Sequence, residues 1–379
     1  MGVGAGGGLR PLPPPGIAPI GSAPRRLSPP GAGPPVRGVA HRGAAVGAPA
    51  SGVRRVGAHT AEGGGREGEV TSVNLLDTLI GRSLGPRPSR PLLALTTVLW
   101  PDRFVRRLYA PAADHRIDWD GRRAAATLSF DIDLPEDVEA LPWLLDTLAP
   151  YPFRASFACI GRWVEQAPDV HRRIVREGHE VVNHTYSHPW SEVFNPRPFL
   201  SLAPAEREEE VRRGHEAIVR TLGYEPVGFR APHLDMAPGV YPVLSEMGYR
   251  YSSSALARRV GALPFRAADG VWELPLAQCP LHPSSVFDTY HAFRSGSWLF
   301  RVRGEDEDRF FGSFVRLVDL GVEWGAHINV YFDPMDAHRF RRFPRFLDHL
   351  QAWREQVMVA TYRELVGILE PREEKGGRE

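Results

Sequence analysis

Gly178-His179-Glu180-Val181-Val182-Asn183-His184-Thr185-Tyr186-Ser187-His188-Pro189 is the stretch from which both the fold and the chemistry of this chain can be read. Val181 and Val182 predict a short buried strand, and Asn183 at its exit is a helix-capping residue type. If the chain then turns helical, positions four apart stack on one face, setting the imidazoles of His184 and His188 side by side. Two neutral imidazole nitrogens so placed can hold one divalent metal. A chain with 14 histidines produces such a pair readily by chance, so the reading needs a third ligand.

Working upstream, residues 124–132 form an apolar strand pattern that ends in Asp131-Ile132-Asp133. In a strand, residues two apart point to one face, so one strand end presents both carboxylates while Ile132 packs on the opposite side. Leu134-Pro135-Glu136-Asp137 opens a helix, with proline and acids in its first turn; Leu141, Leu144, Leu145 and Leu148 supply its buried face. A second strand over 154–160 stops at Gly161 and feeds a helix running to Gly178. Downstream, a charged helix over 205–222 ends at Gly223, a good left-handed cap. A strand over 227–229 follows and leads into Arg230-Ala231-Pro232-His233.

A helix over 240–247 then precedes a strand over 249–252. Strands over 271–274 and 323–331 are expected further on, the latter between helices over 306–320 and 342–353. This alternation predicts an α/β fold, a distorted (β/α) barrel. Asp131, Asp133, His184, His188, Arg230 and His327 are expected at strand C-terminal ends, where such a barrel builds its site.

The totals narrow the class. Apolar content of 42% and charge of 24% are ordinary for a globular chain, and a formal net charge of +1 gives no electrostatic reason to expect nucleic acid. Lys375 is the single lysine, so positive charge is carried by arginine. Cys159 and Cys279 are too few for a disulfide framework or a Cys-rich zinc site. The apolar run over 92–100 is far short of the roughly 20 residues that span a bilayer. No secretory signal opens the chain, and a cytoplasmic location is expected. Residues 1–69, rich in Gly, Pro and Arg, read as a disordered extension. Residues 70–123 are expected to pack as an accessory segment on a main domain over 124–370, followed by a charged tail over 371–379.

The ordered set of motifs resembles the polysaccharide deacetylase family, the NodB-homology domain of carbohydrate esterase family 4. Ser129-Phe130-Asp131-Ile132-Asp133 resembles its acidic first motif, and Arg154-Ala155-Ser156-Phe157 with Gly161 its second strand. The opening stretch is similar to its metal motif. Phe229-Arg230-Ala231-Pro232 and Gly248-Tyr249-Arg250-Tyr251-Ser252-Ser253 resemble the two that follow. The resemblance implies a barrel of about seven parallel strands and removal of an N-acetyl group from a saccharide. It also implies a divalent metal, usually zinc, held by Asp133, His184 and His188. Asp131 would be the general base, Arg230 the group orienting it, and His327 the general acid, with His282 and His291 as rivals for that last role. Ser252 stands where the family carries an acid that would hold the catalytic histidine, so that partner is expected from Asp288 or Asp333.

The family's first motif commonly has adjacent aspartates; here Ile132 separates them. That form resembles a branch that includes intracellular deacetylases and some amide or imide hydrolases. Cyclic amide or imide hydrolysis is therefore a second reading, and a non-catalytic carbohydrate-binding relative a third. The residues support the catalytic readings independently. Two imidazoles and one carboxylate leave a coordination position open, as in catalytic rather than closed zinc sites. An amide needs a Lewis acid, a base for water and an acid for the departing nitrogen.

Overall fold

The computed structural model describes residues 75–370 apart from 86, 116, 192 and 295–306. The extension expected over 1–69 and the tail over 371–379 lie outside the described residues.

Among the described residues nine strands form one curled sheet: β1 (Ala124–Ile132), β2 (Ser156–Cys159), β3 (Glu180–Asn183), β4 (Gly228–Phe229), β5 (Tyr251–Ser252), β6 (Phe265–Arg266), β7 (Trp272–Glu273), β8 (His327–Phe332) and β9 (Val357–Val359). Their order is β6-β7-β5-β4-β3-β2-β1-β8. The run from β7 to β8 is parallel throughout, giving the seven parallel strands expected. β6 adds an antiparallel edge on β7, and β9 pairs in parallel with the start of β1. The sheet is a curled half-barrel: Ala277, beyond β7, donates its N–H to the Asn329 carbonyl of β8 at 2.8 Å across the seam.

β1 sets the two faces of this sheet. All nine of its residues are buried. Leu128, Phe130 and Ile132 point outward into the main core, against Leu141, Leu144, Leu145 and Leu148 of the helix Pro135–Leu148. Thr127, Ser129 and Asp131 alternate with them and face the barrel interior, where their polar atoms find partners. β8 repeats the pattern, with Ile328, Val330 and Phe332 in the core. The helices Arg90–Leu99 and Pro101–Tyr109 precede β1, and Val105, Leu108 and Tyr109 join the same core.

Two local expectations change. The helix expected from Gly161 to Gly178 is two helices, Gly161–Gln166 and Pro168–Arg176, because Pro168 has no N–H to continue the first ladder and instead opens the second. The segment expected as a strand from 323 begins only at His327. Residues 323 and 324 close the helix Glu307–Trp324, and Gly325 turns the chain with φ at +71°.

Candidate metal centre

β1 and β3 are neighbours of β2, and their C-terminal ends bring Asp133, His184 and His188 together. His184 Nε2 lies 3.3 Å and His188 Nε2 3.6 Å from Asp133 Oδ1. All three atoms are buried and make no hydrogen bond to the described residues. Orphaned polar atoms of this kind are costly to bury unless something binds them. Zinc bonds of about 2.0–2.2 Å in a tetrahedron have ligand–ligand edges of about 3.3–3.6 Å, matching the two distances. The donor set and its spacing therefore fit a divalent metal held by Asp133, His184 and His188. The other ring nitrogen of His184, Nδ1, is 2.8 Å from the Arg230 carbonyl oxygen, which fixes the tautomer that leaves Nε2 free as a ligand.

The histidine pair is not brought together by a helix. Residues 184–188 form a loop in which Thr185 and His188 take positive φ, +65° and +49°. Trp190, His233 and Leu234 nearby do the same. Left-handed backbone at five non-glycine residues is strain, and it persists here because hydrogen bonds over-determine the loop. Asn183 Oδ1 accepts from the Thr185 N–H, and Thr185 Oγ1 accepts from the His188 N–H. Glu210, on the helix Pro204–Leu222, accepts from both the N–H and the hydroxyl of Ser187. Gly214 of that helix faces the loop so closely that a Cβ would lie 2.4 Å from Asn183 Oδ1 and 2.7 Å from the Thr185 carbonyl carbon. Asn183 is thus the capping type expected, capping a turn instead of a helix.

Asp131 is buried beside this centre. Its Oδ1 accepts from Arg230 Nη1 at 2.5 Å, and Arg230 is fully enclosed. The remaining guanidinium N–H groups donate to the Ser253 carbonyl, Ser129 Oγ, Ser253 Oγ and Tyr362 Oη. Burial pushes the Asp131 carboxyl above its ordinary value, against the opposing pull of Arg230, whose own pKa is raised. The carboxylate is therefore fixed in direction.

His327 is not part of this group. It opens β8 and pairs with Ala125, six residues before Asp131 and so about 20 Å down the strand at about 3.3 Å per residue. Its Nε2 lies 3.0 Å from Thr127 Oγ1, its ring is 6.1 Å from Trp119, and burial lowers its pKa to about 3. Such a group is neutral and far from any substrate at the other end of the barrel, so the general-acid role does not fall to it. His327 shares a sheet face with Asn329, Tyr331 and Asp333, and only the last of these, one residue past the Phe130–Phe332 pair, reaches the level of Asp131.

The rival histidines His282 and His291 lie together in the segment after β7, and His291 has the Asp288 partner expected of a catalytic histidine. His291 is held by Asp288, whose other oxygen accepts from the Tyr331 hydroxyl at 2.8 Å, and it packs against His282 at 5.7 Å between ring centroids. Asp333 pairs with Arg294 instead of a histidine. Ser252 hydrogen-bonds to Ser254. His179 accepts the Ala155 N–H, a scaffold role. His233 stands exposed at the mouth, 4.9 Å from the His188 ring and 5.1 Å from that of Trp190, itself 53% exposed. Sequence reasoning passed over Glu210, Gly214, Tyr331 and Tyr362. Tyr331 was within reach, because the period of two along β8 places it on Asn329's face.

Comparison with known proteins agrees with this geometry. Residues 120–252 match the family model described as polysaccharide deacetylase. The chain is 34% identical over 114 residues to a peptidoglycan-N-acetylglucosamine deacetylase of Bacillus cereus, covering 29% of this chain and 37% of that one. It is 34% identical over 113 residues to a chitin deacetylase of Colletotrichum lindemuthianum, covering 28% and 42%. The matched segments thus span about two-fifths of these relatives' length. Among solved structures, a putative polysaccharide deacetylase from Mycobacterium smegmatis superposes with a TM-score of 0.57 at 21% identity, over 66% of this chain and 92% of that one, a likeness of fold.

Proposed function

From the membership of residues 120–252 in the polysaccharide deacetylase family, we propose that the protein is a metal-dependent hydrolase that removes the N-acetyl group from an N-acetylated saccharide. The observation that carries this reading is the convergence of three buried, unpartnered donor atoms on Asp133, His184 and His188 beside the Asp131–Arg230 pair. A zinc-like ion held by those three residues would supply Lewis acidity toward the amide carbonyl and acidify water.

The chain's own residues do the rest. Arg230 spends all of its donors on fixed partners, one of them Asp131, so Asp131 cannot turn away from the metal centre. As water oxygen bonds to the acyl carbon, Asp131 takes the released proton. When the C–N bond breaks, the same carboxyl returns that proton to the departing nitrogen, which then leaves as an amine with acetate as the other product. One carboxyl in both roles is the economical assignment once His327 stands at the opposite end of the barrel. Exposed His233 and Trp190 border the mouth, where an indole face suits a sugar ring.

The experiment is release of acetate from N-acetylhexosamine oligomers by the purified chain, lost on chelation and regained with zinc. A cyclic amide and imide panel run in parallel reads ring opening. Ring opening without acetate release would replace the saccharide reading by the cyclic-amide one. Neither product under any metal tested would remove the hydrolase reading.

A further inference from the structure

Away from the Asp133 centre, a second group of ligand-type side chains converges in the segment that follows β7. One donor atom each of Cys279, His282 and His291 lies within 4.8 Å of the others. Cys279 is completely buried and in no disulfide, and His291 is 5% exposed. His291 Nδ1 is held 2.8 Å from Asp288 Oδ1, which turns its buried Nε2 toward the Cys279 sulfur. We propose that Cys279, His282 and His291 form a second metal site that takes a zinc-like, borderline-soft divalent cation and cross-links the two ends of the segment 279–291.

The local backbone is built for it. The N–H of His282 donates to the Cys279 carbonyl, that of Ser285 to His282, and that of Cys279 to Ser285, which closes a tight turn with both first ligands on it. One sulfur and two imidazoles are a donor set that selects zinc over magnesium or calcium. A carboxylate on the far nitrogen of a ligating histidine is the usual outer partner, since it fixes the tautomer and strengthens the ligand. Asp288 fills that position and is itself braced by the Tyr331 hydroxyl. The alternative, a Cys279–His291–Asp288 nucleophilic triad, needs a substrate at the sulfur, and complete burial of Cys279 forbids that approach. The site shares no residue with the Asp133 centre, so it stands or falls separately.

Two measurements on the unmutated full chain test it. Purified without chelator, the protein should carry about two equivalents of zinc per chain. Stripped and reloaded with cobalt(II), it should show a near-ultraviolet thiolate-to-cobalt charge-transfer band. Cys279→Ser should abolish that band and His291→Gln should lower metal content by about one equivalent. His184→Ala should keep the band while losing the other equivalent. Absence of the band in the wild-type chain, or its survival in Cys279→Ser, overturns the proposal. A band with about one equivalent bound retains this site and counts against the Asp133 centre instead.

Discussion

At the scale of single residues, Arg230 and Asp131 form a fully enclosed pair in which every guanidinium N–H has a partner. Replacing Asp131 by Asn keeps the shape and removes the base. Acetate release should fall by about 10²–10⁴-fold while bound metal, read by elemental analysis, stays unchanged; wild-type turnover in this variant would reject the assignment. Arg230→Gln leaves a buried carboxylate without its counter-charge and should cost about 3–5 kcal/mol in chemical denaturation. His327→Gln is expected to behave differently from the loss of a general acid. Turnover should stay within a few-fold of wild type, because the side chain sits at the other end of β8 beside Thr127. A drop of several orders of magnitude would return His327 to the chemistry.

At the scale of elements, the metal loop depends on a helix that carries no ligand. The Pro204–Leu222 helix approaches the loop through Gly214, and a Cβ there meets backbone and the Asn183 side chain, neither of which is a flexible tip. Gly214→Ala should therefore displace the 184–188 turn. Overpacking of this kind costs about 1–3 kcal/mol, and the shift should also weaken zinc binding at the Asp133 centre, measured by competition with a chromogenic chelator. Unchanged affinity would show that the loop holds its shape without the helix. The sequence indicated the ligands but not this support: a glycine in a polar helix reads as a weak spot until the packing partner is known. The same limit explains the expected helix at 184–188. Spacing of four residues satisfies a helix and a tight turn equally, and the hydrogen bonds of Asn183, Thr185 and Glu210 decide for the turn.

At the scale of the whole molecule, the alternation of strand and helix was legible because each outward strand face is apolar and each helix supplies a matching stripe. The buried histidines make stability depend on pH. Burial lowers His171 and His179 to about 4 and His327 to about 3, from an ordinary 6.5. In the unfolded chain these groups take up protons below about 6.5, whereas in the fold they stay neutral until about 4. The unfolded state thus binds more protons in that window, so stability falls as pH drops from about 6.5 toward 4. Each group contributes up to about 1.4 kcal/mol per pH unit. Denaturation midpoints at pH 7 and pH 5 should show the loss, and His327→Gln should flatten it. Identical slopes for wild type and variant would mean that His327 protonates without opening the fold. Among the described residues no helix is long and apolar enough to cross a membrane.

The order and type of most elements followed from sequence periodicity, while the candidate ligands Asp133, His184 and His188 and the pairing of Asp131 with Arg230 followed from the resemblance of the motifs. Local periodicity and side-chain chemistry are carried by neighbours along the chain. What the tertiary structure alone decided is which end of a strand a residue occupies and what lies across from it. His327 and Asp333 share one face of β8, and only the register with β1 separates the buried base of the barrel from its mouth. The grouping of Cys279, His282 and His291 comes from the closed turn over 279–285 and the return of the chain to His291.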